Sequence, residues 1–155
     1  MQFTKYWLIT QVAVALVAVR VSLRVVGLPR VLTWMHAVSV ARAQDRDTVE
    51  TVAYYTDRWL QLFPSNPRGN CLPRSLVLYR FARRNGFPVQ FHCGVKSVDS
   101  ALHGHAWLTL DGEPFSEPSN QWKSFAVTFS FPEASRKSPY ETDIMGKNRR
   151  TIFFD

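Results

Sequence analysis

The chain is poor in cysteine. Only Cys71 and Cys93 occur among its 155 residues, so at most one disulfide bridge can form. That number excludes a disulfide-stabilised scaffold of the kind found in small secreted domains, and it suits a reducing compartment. We therefore expect a cytoplasmic protein that is held together by a hydrophobic core.

Acidic residues are absent from the first 44 positions. The charged residues there are all basic and give this segment a charge of +5; they are Lys5, Arg20, Arg24, Arg30 and Arg42. From Asp45 onward 14 basic residues face 12 acidic ones, so most of the overall charge of +7 lies in the N-terminal segment. A protein that is basic at one end only, and that has no motif for DNA or RNA, is not expected to bind nucleic acid.

Internal repeats and low-complexity tracts are also absent. The length matches one ordinary domain, and a composition with 46% hydrophobic and 14% aromatic residues is sufficient for a packed core. A disordered chain would contain fewer of both. We predict an N-terminal helical segment at residues 1–44, followed by one further domain at residues 45–155.

The N-terminal segment contains an apolar run at residues 7–19, which Gln11 interrupts and Arg20 ends. A membrane-spanning helix needs about 20 apolar residues, and an extension of the run would include Arg20 and Arg24, so we predict that it does not span a bilayer. Three interpretations remain open: a helix that packs on the rest of the protein, peripheral attachment of residues 1–30 to an anionic membrane, and a cleaved signal peptide.

Two further helices are indicated by their capping residues and by apolar residues at helical spacing. Asp47 can cap the first of them, with Glu50 three residues later as in a capping box. The second fits residues 72–84, where Pro73 is allowed in the first turn and Asn85-Gly86 ends the helix. We therefore expect the first half of the chain to be helical.

The hydrophobic pattern then changes to a period of two residues, which is typical of strands. Alternating residues predict strands at 89–95, 103–110 and 125–131, with a further strand from Phe115 that follows a turn at Asp111-Gly112. Helices followed by an antiparallel sheet define an α+β fold class.

Cys71 directly precedes the helix predicted at residues 72–84. A thiol at the start of a helix lies near the positive end of the helix dipole and near unpaired backbone N–H groups. Such surroundings can lower a thiol pKa from about 8.5 toward about 3.5–7.5, and the same N–H groups can bind an oxyanion. The alternative is that Cys71 is a small buried hydrophobic residue.

The HGHAW stretch at residues 103–107 places two histidines and a tryptophan on one face of a strand. The glycine and alanine between them share the other face, which is small and apolar and suits contact with a core. His103, His105 and Trp107 are then expected to face a cleft. A hydrogen-bonded structural histidine, or a pair of surface histidines, is the alternative.

Two acidic residues downstream are candidates to orient a histidine. Asp111 is the nearer in sequence, but Asp-Gly is itself a hairpin turn signal. Glu117 falls opposite Ala106 if the turn has only two residues, whereas one bulged residue near Pro114 would bring it to the same face as His105. Both carboxylates therefore stay open from the pattern alone.

A cysteine at a helix start, with a histidine and a carboxylate on strands, is the papain-type arrangement for nucleophilic catalysis. A zinc site is the rival interpretation, since histidine and cysteine are both zinc ligands. Its potential ligands are Cys71, His92, Cys93, His103 and His105. The short paired spacings of structural zinc sites are missing, and His92 and Cys93 point to opposite faces of their strand, so we expect no metal.

The stretches at residues 71–95 and 103–117 together resemble the transglutaminase-like cysteine peptidases of lasso-peptide biosynthesis, the protease part of the B protein. The family pattern is a cysteine, a nearby Arg-Ser-Leu, a helix that ends in glycine, Gly-Val, and His-Ala-Trp before Asp-Gly. In this chain the pattern occurs at Cys71, residues 74–76, Gly86, residues 94–95, residues 105–107 and residues 111–112.

The resemblance implies a transglutaminase-like or papain-like antiparallel sheet with the nucleophile at a helix N-terminus. It implies Cys71 as the nucleophile and His105 as general base and acid. The third residue maps to Glu117, although the family often has aspartate there. His103 and Cys93 match no catalytic position of the family.

The resemblance also implies a reaction and its partners. The reaction is removal of the leader from a ribosomally made lasso-peptide precursor through a thioester, without a cofactor. The partners are the precursor, a leader-recognition protein and a macrocyclase. We expect the recognition protein to act in trans, because no separate recognition domain is evident in the first 44 residues. The alternatives are a transglutaminase-like domain that transfers the acyl group to an amine, or one that binds a peptide or a partner protein without turnover.

Overall fold

Helices form the first half of the chain, and an antiparallel sheet follows them. The structure is a computed structural model that describes residues 2–37, 44–62, 69–132 and 153–154. Its helices are α1 (Gln2–Val25), α2 (Leu28–His36), α3 (Arg46–Gln61) and α4 (Cys71–Arg84), with a short 3-10 helix at Asn120–Ser124. Its strands are β1 (Gln90–Val98), β2 (Ala101–Leu110), β3 (Glu113–Pro114), β4 (Ala126–Phe131) and β5 (Phe153–Phe154). This order confirms the predicted α+β class.

Helix α1 is longer than the apolar run predicts, because it continues through Arg20 and Arg24. By length and composition alone, Tyr6–Val25 is sufficient to cross a membrane, so the length of the helix does not exclude a span. That the segment does not span a bilayer stays a prediction. One face of α1 nevertheless packs against α3 and α4. The predicted boundary between residues 1–44 and 45–155 stays a prediction, because packing between helices does not show whether they fold as separate units.

Helix α3 begins earlier than predicted, and its cap is Asp45 rather than Asp47. Asp45 has an extended backbone, and its carboxylate accepts a hydrogen bond from the N–H of Thr48 at 3.1 Å. Asp47 then lies inside the first turn, where a negative charge still suits the helix dipole. Glu50 does not complete a capping box but forms an exposed ion pair with Arg46, one helical turn away.

Helix α4 lies at the centre of the core and connects the helices to the sheet. Leu76, Val77 and Leu78 are fully buried on it. The Ser75 hydroxyl donates a hydrogen bond to the carbonyl oxygen of Ala106 on β2 at 2.8 Å. This hydrogen bond fixes α4 to β2 close to the start of the helix. The helix ends at Arg84, with Asn85 as its C-cap, and the positive φ of Gly86 follows, as the sequence predicts.

The strands lie in the order β3-β2-β1-β4, and β5 pairs in parallel with β2. The antiparallel register places Cys93 opposite Ala106 and Gly94 opposite His105. Asp111 and Gly112 both have positive φ, as expected for a two-residue hairpin turn. The prediction of a strand from Phe115 onward was wrong. Strand β3 ends at Pro114, because the chain turns away from the sheet at the next residues.

Gly94 lies at a crowded position of the sheet, where a side chain does not fit. The register between β1 and β4 shifts at this position. A methyl group on Gly94 would lie 2.8 Å from the carbonyl oxygen of Ala126 and 2.8 Å from Cη2 of Trp107. Since neither the strand nor a buried indole can move away easily, this position accepts only hydrogen as a side chain. The Trp107 ring can therefore lie directly against the backbone of β1.

Replacing Gly94 by Ala should lower the free energy of unfolding by about 1–3 kcal/mol, because the added methyl group overpacks the sheet. Chemical denaturation measures this change. Gly112→Asn is the matched control, since a Cβ there meets no atom of the described residues within 4 Å and asparagine tolerates a positive φ. An equal effect of both substitutions would contradict the crowding at Gly94.

Candidate active site

Cys71, His105 and Glu117 meet in one cleft. The cleft lies between α3, α4, β2 and the chain that follows β3, and it has a volume of about 610 Å³. Asp57 and Arg74 also contribute to its walls. The structure thus brings together the three residues that the sequence analysis singles out for catalysis, although they come from three separate segments of the chain.

Cys71 is the first residue of α4 and is largely buried. The preceding residue, Asn70, does not cap the helix with its side chain. Its side-chain oxygen instead accepts a hydrogen bond from the Arg20 guanidinium of α1 at 3.3 Å. The backbone N–H groups of Cys71 and Leu72 are consequently not occupied by the N-cap side chain, and Pro73 has no N–H. A carbonyl oxygen that approaches Cys71 can receive hydrogen bonds here.

The His105 ring is held in place by its partners on three sides. Its Nε2 lies 3.3 Å from Oε2 of Glu117. It also forms a hydrogen bond with Cys71. Its plane stacks on Trp107, with ring centroids 5.8 Å apart, and tilts against Phe125 at 5.1 Å. Because Nε2 is engaged by Glu117, Nδ1 is the nitrogen that remains for the thiol.

These partners also determine the charge of His105. Burial by itself lowers the pKa of His105, but the hydrogen bonds and the charges of Cys71 and Glu117 outweigh that effect and raise the pKa to about 9. The ring is therefore protonated at neutral pH. Because folding raises this pKa above 6.5, the protonated ring contributes its full stabilisation below pH 6.5, and this contribution is lost as the pH rises through about 9.

Glu117 reaches His105 by a turn of the chain and not by a bulge in the strand. The described pairs between β2 and β3, such as Leu110 with Glu113, keep the register of a strict two-residue turn. Ser116 has a φ of 56° and redirects the chain out of the sheet. The Glu117 side chain is then only 4% exposed. The described pairs contain no bulge near Pro114, so Glu117 does not reach His105 by the route that the strand pattern left open, while its placement beside His105 agrees with the prediction.

Arg74 is a site residue that was not predicted from the sequence. Its guanidinium lies 2.6 Å from one carboxylate oxygen of Asp57 and 3.7 Å from Oε1 of Glu117. It also donates a hydrogen bond to the carbonyl oxygen of Ser116 at 3.0 Å. Arg74 thus fixes both the backbone and the carboxylate of the segment that carries Glu117. The sequence did contain a signal for this role. A cation such as Arg74 in the first turn of a helix is unfavourable next to the helix dipole, so a carboxylate partner is expected nearby.

The other predicted candidates lie elsewhere. Asp111 is exposed at the hairpin turn, six residues and about 20 Å along the strand from His105. His103 lies opposite Lys96 on the neighbouring strand. Cys93 is buried, and burial together with the nearby Cys71 raises the pKa of its thiol to about 12. A thiol with that pKa stays protonated and is a poor nucleophile.

The residues proposed for zinc do not assemble. Both ring nitrogens of His92 are engaged, with Ser130 and Thr109 at 2.8 Å each. In the described ranges there is no group of three or more histidine, cysteine, aspartate or glutamate side chains that is placed to hold a metal ion.

The charge on His105 can be measured by NMR titration of its ring in the isotope-labelled protein. We expect a midpoint near pH 9, and we expect Glu117→Gln to move it down toward 6.5, because one partner that raises the pKa loses its charge. His92 is an internal control in the same spectra, since burial lowers its pKa and Glu117 is not among its hydrogen-bond partners. A His105 midpoint that is insensitive to Glu117→Gln would contradict this geometry.

The family model of the transglutaminase-like superfamily matches residues 13–130. The comparisons with curated proteins and with solved structures gave no match. The matched range includes Cys71, His105 and Glu117, and it begins within α1. Because the match covers most of the chain, this protein belongs to the transglutaminase-like superfamily.

Proposed function

We propose that this protein is a cysteine peptidase that removes the leader from a ribosomally made lasso-peptide precursor. The single observation that carries the proposal is the placement of Cys71 at the uncapped start of α4, in hydrogen-bond contact with a His105 ring that Glu117 also holds. The motif pattern of the sequence, which resembles the leader peptidases, supports the choice of substrate.

The first step is attack on the peptide bond. A protonated His105 favours the thiolate of Cys71, and the sulfur adds to the carbonyl carbon of the scissile bond. The carbonyl oxygen becomes an oxyanion, and the backbone N–H groups at the start of α4 stabilise it. His105 then donates its proton to the departing amine, so the C–N bond breaks and a thioester between the leader and Cys71 remains.

The second step is hydrolysis of that thioester. His105, now neutral, accepts a proton from water, and the resulting hydroxide equivalent attacks the thioester carbonyl. The sulfur of Cys71 leaves as a thiolate, which restores the pair with the protonated His105. Glu117 keeps the ring in one orientation through both steps, because it remains bonded to Nε2.

The proposal includes partners and a location. A leader-recognition protein presents the precursor in trans, a macrocyclase takes up the released core peptide, and the reaction takes place in the cytoplasm. The open cleft beside Cys71 and the resemblance of the motifs support this scheme. Transfer of the acyl group to an amine instead of water uses the same thioester, and the masses of the products distinguish the two reactions.

Replacing Cys71 by Ala should abolish cleavage of the precursor peptide encoded beside this chain, because no other described thiol contacts His105. Mass spectrometry of the products measures the reaction. Cys93→Ala is the matched control and should retain most of the activity, since that thiol is not in the cleft. Full cleavage by Cys71→Ala would overturn the proposal, and a product that retains an amine acceptor would point to acyl transfer.

Alkylation tests the activated thiol without any substrate. At pH 6 iodoacetamide should modify Cys71 at least about tenfold faster than a free cysteine, because the protonated His105 favours the reactive thiolate. Cys93 should stay unmodified in the folded protein, since its thiol pKa is about 12 and it does not line the cleft. If Cys71 reacts no faster than free cysteine, the domain binds its partner without turnover.

A further inference from the structure

Helix α1 is apolar on two opposite faces. On one face Val12, Leu16 and Val19 belong to the core. On the other face the side chains of Trp7, Val14, Val17, Val21 and Val25 are more than half exposed. A helix that is hydrophobic all round is expected to be buried on every side, in protein or in lipid. The described part of the chain covers only one side of α1.

The exposed residues of α1 form one stripe, since they recur at helical spacing. Trp34 of α2 extends the stripe and is also more than half exposed. We call these residues the α1–α2 apolar surface; they are Trp7, Val14, Val17, Val21, Val25 and Trp34. Isolated apolar side chains on a protein surface need no explanation, but a continuous patch with two tryptophans marks an interaction site.

A groove adjoins this surface and continues it toward α4. The groove has a volume of about 350 Å³, and both Trp7 and Trp34 line it. Ala18 of α1 also lines the groove. Arg80 and Arg84 of α4 line it as well. The site therefore offers apolar contacts beside two cationic groups.

The charge around the surface has one sign. Arg24 and Arg30 are exposed next to it, and no acidic residue precedes Asp45 in the sequence. Within the described ranges, neither Arg80 nor Arg84 forms an ion pair with an acidic side chain. The occupant that complements these features is apolar and carries negative charge at its edge.

We propose that the α1–α2 apolar surface and its groove bind the surface of a membrane that contains anionic phospholipids. Tryptophans are favoured at the boundary between lipid headgroups and acyl chains, and arginines at that depth bind lipid phosphates. The exposed valines contact the acyl region, and Arg80 and Arg84 contact the phosphates. This inference does not depend on the proposed peptidase activity.

Helix α1 lies on the membrane in this arrangement and does not cross it. By length and composition it is sufficient for a span. However, a spanning helix would have to remove Val12, Leu16 and Val19 from the core, where they are almost fully buried. The Arg20 guanidinium also holds Asn70, the residue before Cys71, so α1 is in contact with the cleft. Binding through the exposed face leaves all of these contacts intact.

Vesicle sedimentation with the full chain tests the proposal. We expect at least about tenfold tighter binding to vesicles of phosphatidylcholine and phosphatidylglycerol in equal parts than to phosphatidylcholine alone, and weaker binding as salt is added. Tryptophan fluorescence should shift to the blue on binding. The Trp7→Phe/Trp34→Phe variant should lose most of that shift and still bind.

Two sets of variants separate the apolar and the charged contributions. Val17→Ser/Val21→Ser should weaken binding to the anionic vesicles by about tenfold, because less apolar surface enters the lipid. Arg80→Gln/Arg84→Gln should remove most of the preference for phosphatidylglycerol. Val127→Ser is the matched control, since Val127 is equally exposed but lies on β4. Circular dichroism confirms that each variant is folded.

Three results would overturn the proposal. The first is that the full chain binds neither kind of vesicle, or binds both equally. The second is that Val17→Ser/Val21→Ser binds as well as Val127→Ser. The third is a dimer in solution that does not bind vesicles and that Val17→Ser/Val21→Ser dissociates, because a second copy of the chain would then cover this surface.

Discussion

The placement of a protonated histidine between a thiol and a buried carboxylate is the constraint on which the rest of this structure depends. His105 keeps its charge in a half-buried position only because Cys71 and Glu117 are both within reach. Glu117 is in turn almost fully buried, and a carboxylate in such a place needs its own partners. Arg74 provides one of them, and Asp57 on α3 completes the network.

The surrounding helices and strands hold Cys71 and His105 in position. Helix α4 places Cys71, and the bond from Ser75 to Ala106 fixes α4 against the strand that carries His105. Trp107 supports the imidazole ring on one side, and it can do so because Gly94 leaves space for the indole. A site of this kind has to be held within a fraction of an ångström, which explains why its supports come from buried helices and strands rather than from loops.

The sequence was sufficient to predict those features of the fold that residue patterns at short spacing determine. The position of α4, the hairpin turn at Asp111-Gly112 and the strand face of His105 all follow from residue types at short spacing. The resemblance of the motifs added the choice of Glu117 over Asp111, which the strand pattern left open. The start of α3 was misplaced by two residues, because Asp45 and Asp47 are both plausible caps and only the backbone conformation distinguishes them.

Features that depend on contacts between distant segments could not be predicted. The positive φ of Ser116 has no signature in the sequence, yet it directs Glu117 to His105. The pairing of Arg74 with Asp57 joins two helices, and the crowding at Gly94 appears only when β4 is in place. The exposed second face of α1 is likewise visible only after α3 and α4 have covered the first, and we propose that lipid is its complement.

The central proposal is that His105 activates Cys71 as a nucleophile, and ultraviolet absorbance of a Cys71 thiolate tests it most directly. The difference spectrum between the native protein and Cys71→Ser reports the thiolate of Cys71 alone. We expect this difference spectrum to show thiolate absorbance at neutral pH. The absorbance should be lost when both proteins of the pair also carry His105→Ala. Absorbance that is absent at neutral pH, or that persists without His105, would contradict the proposal.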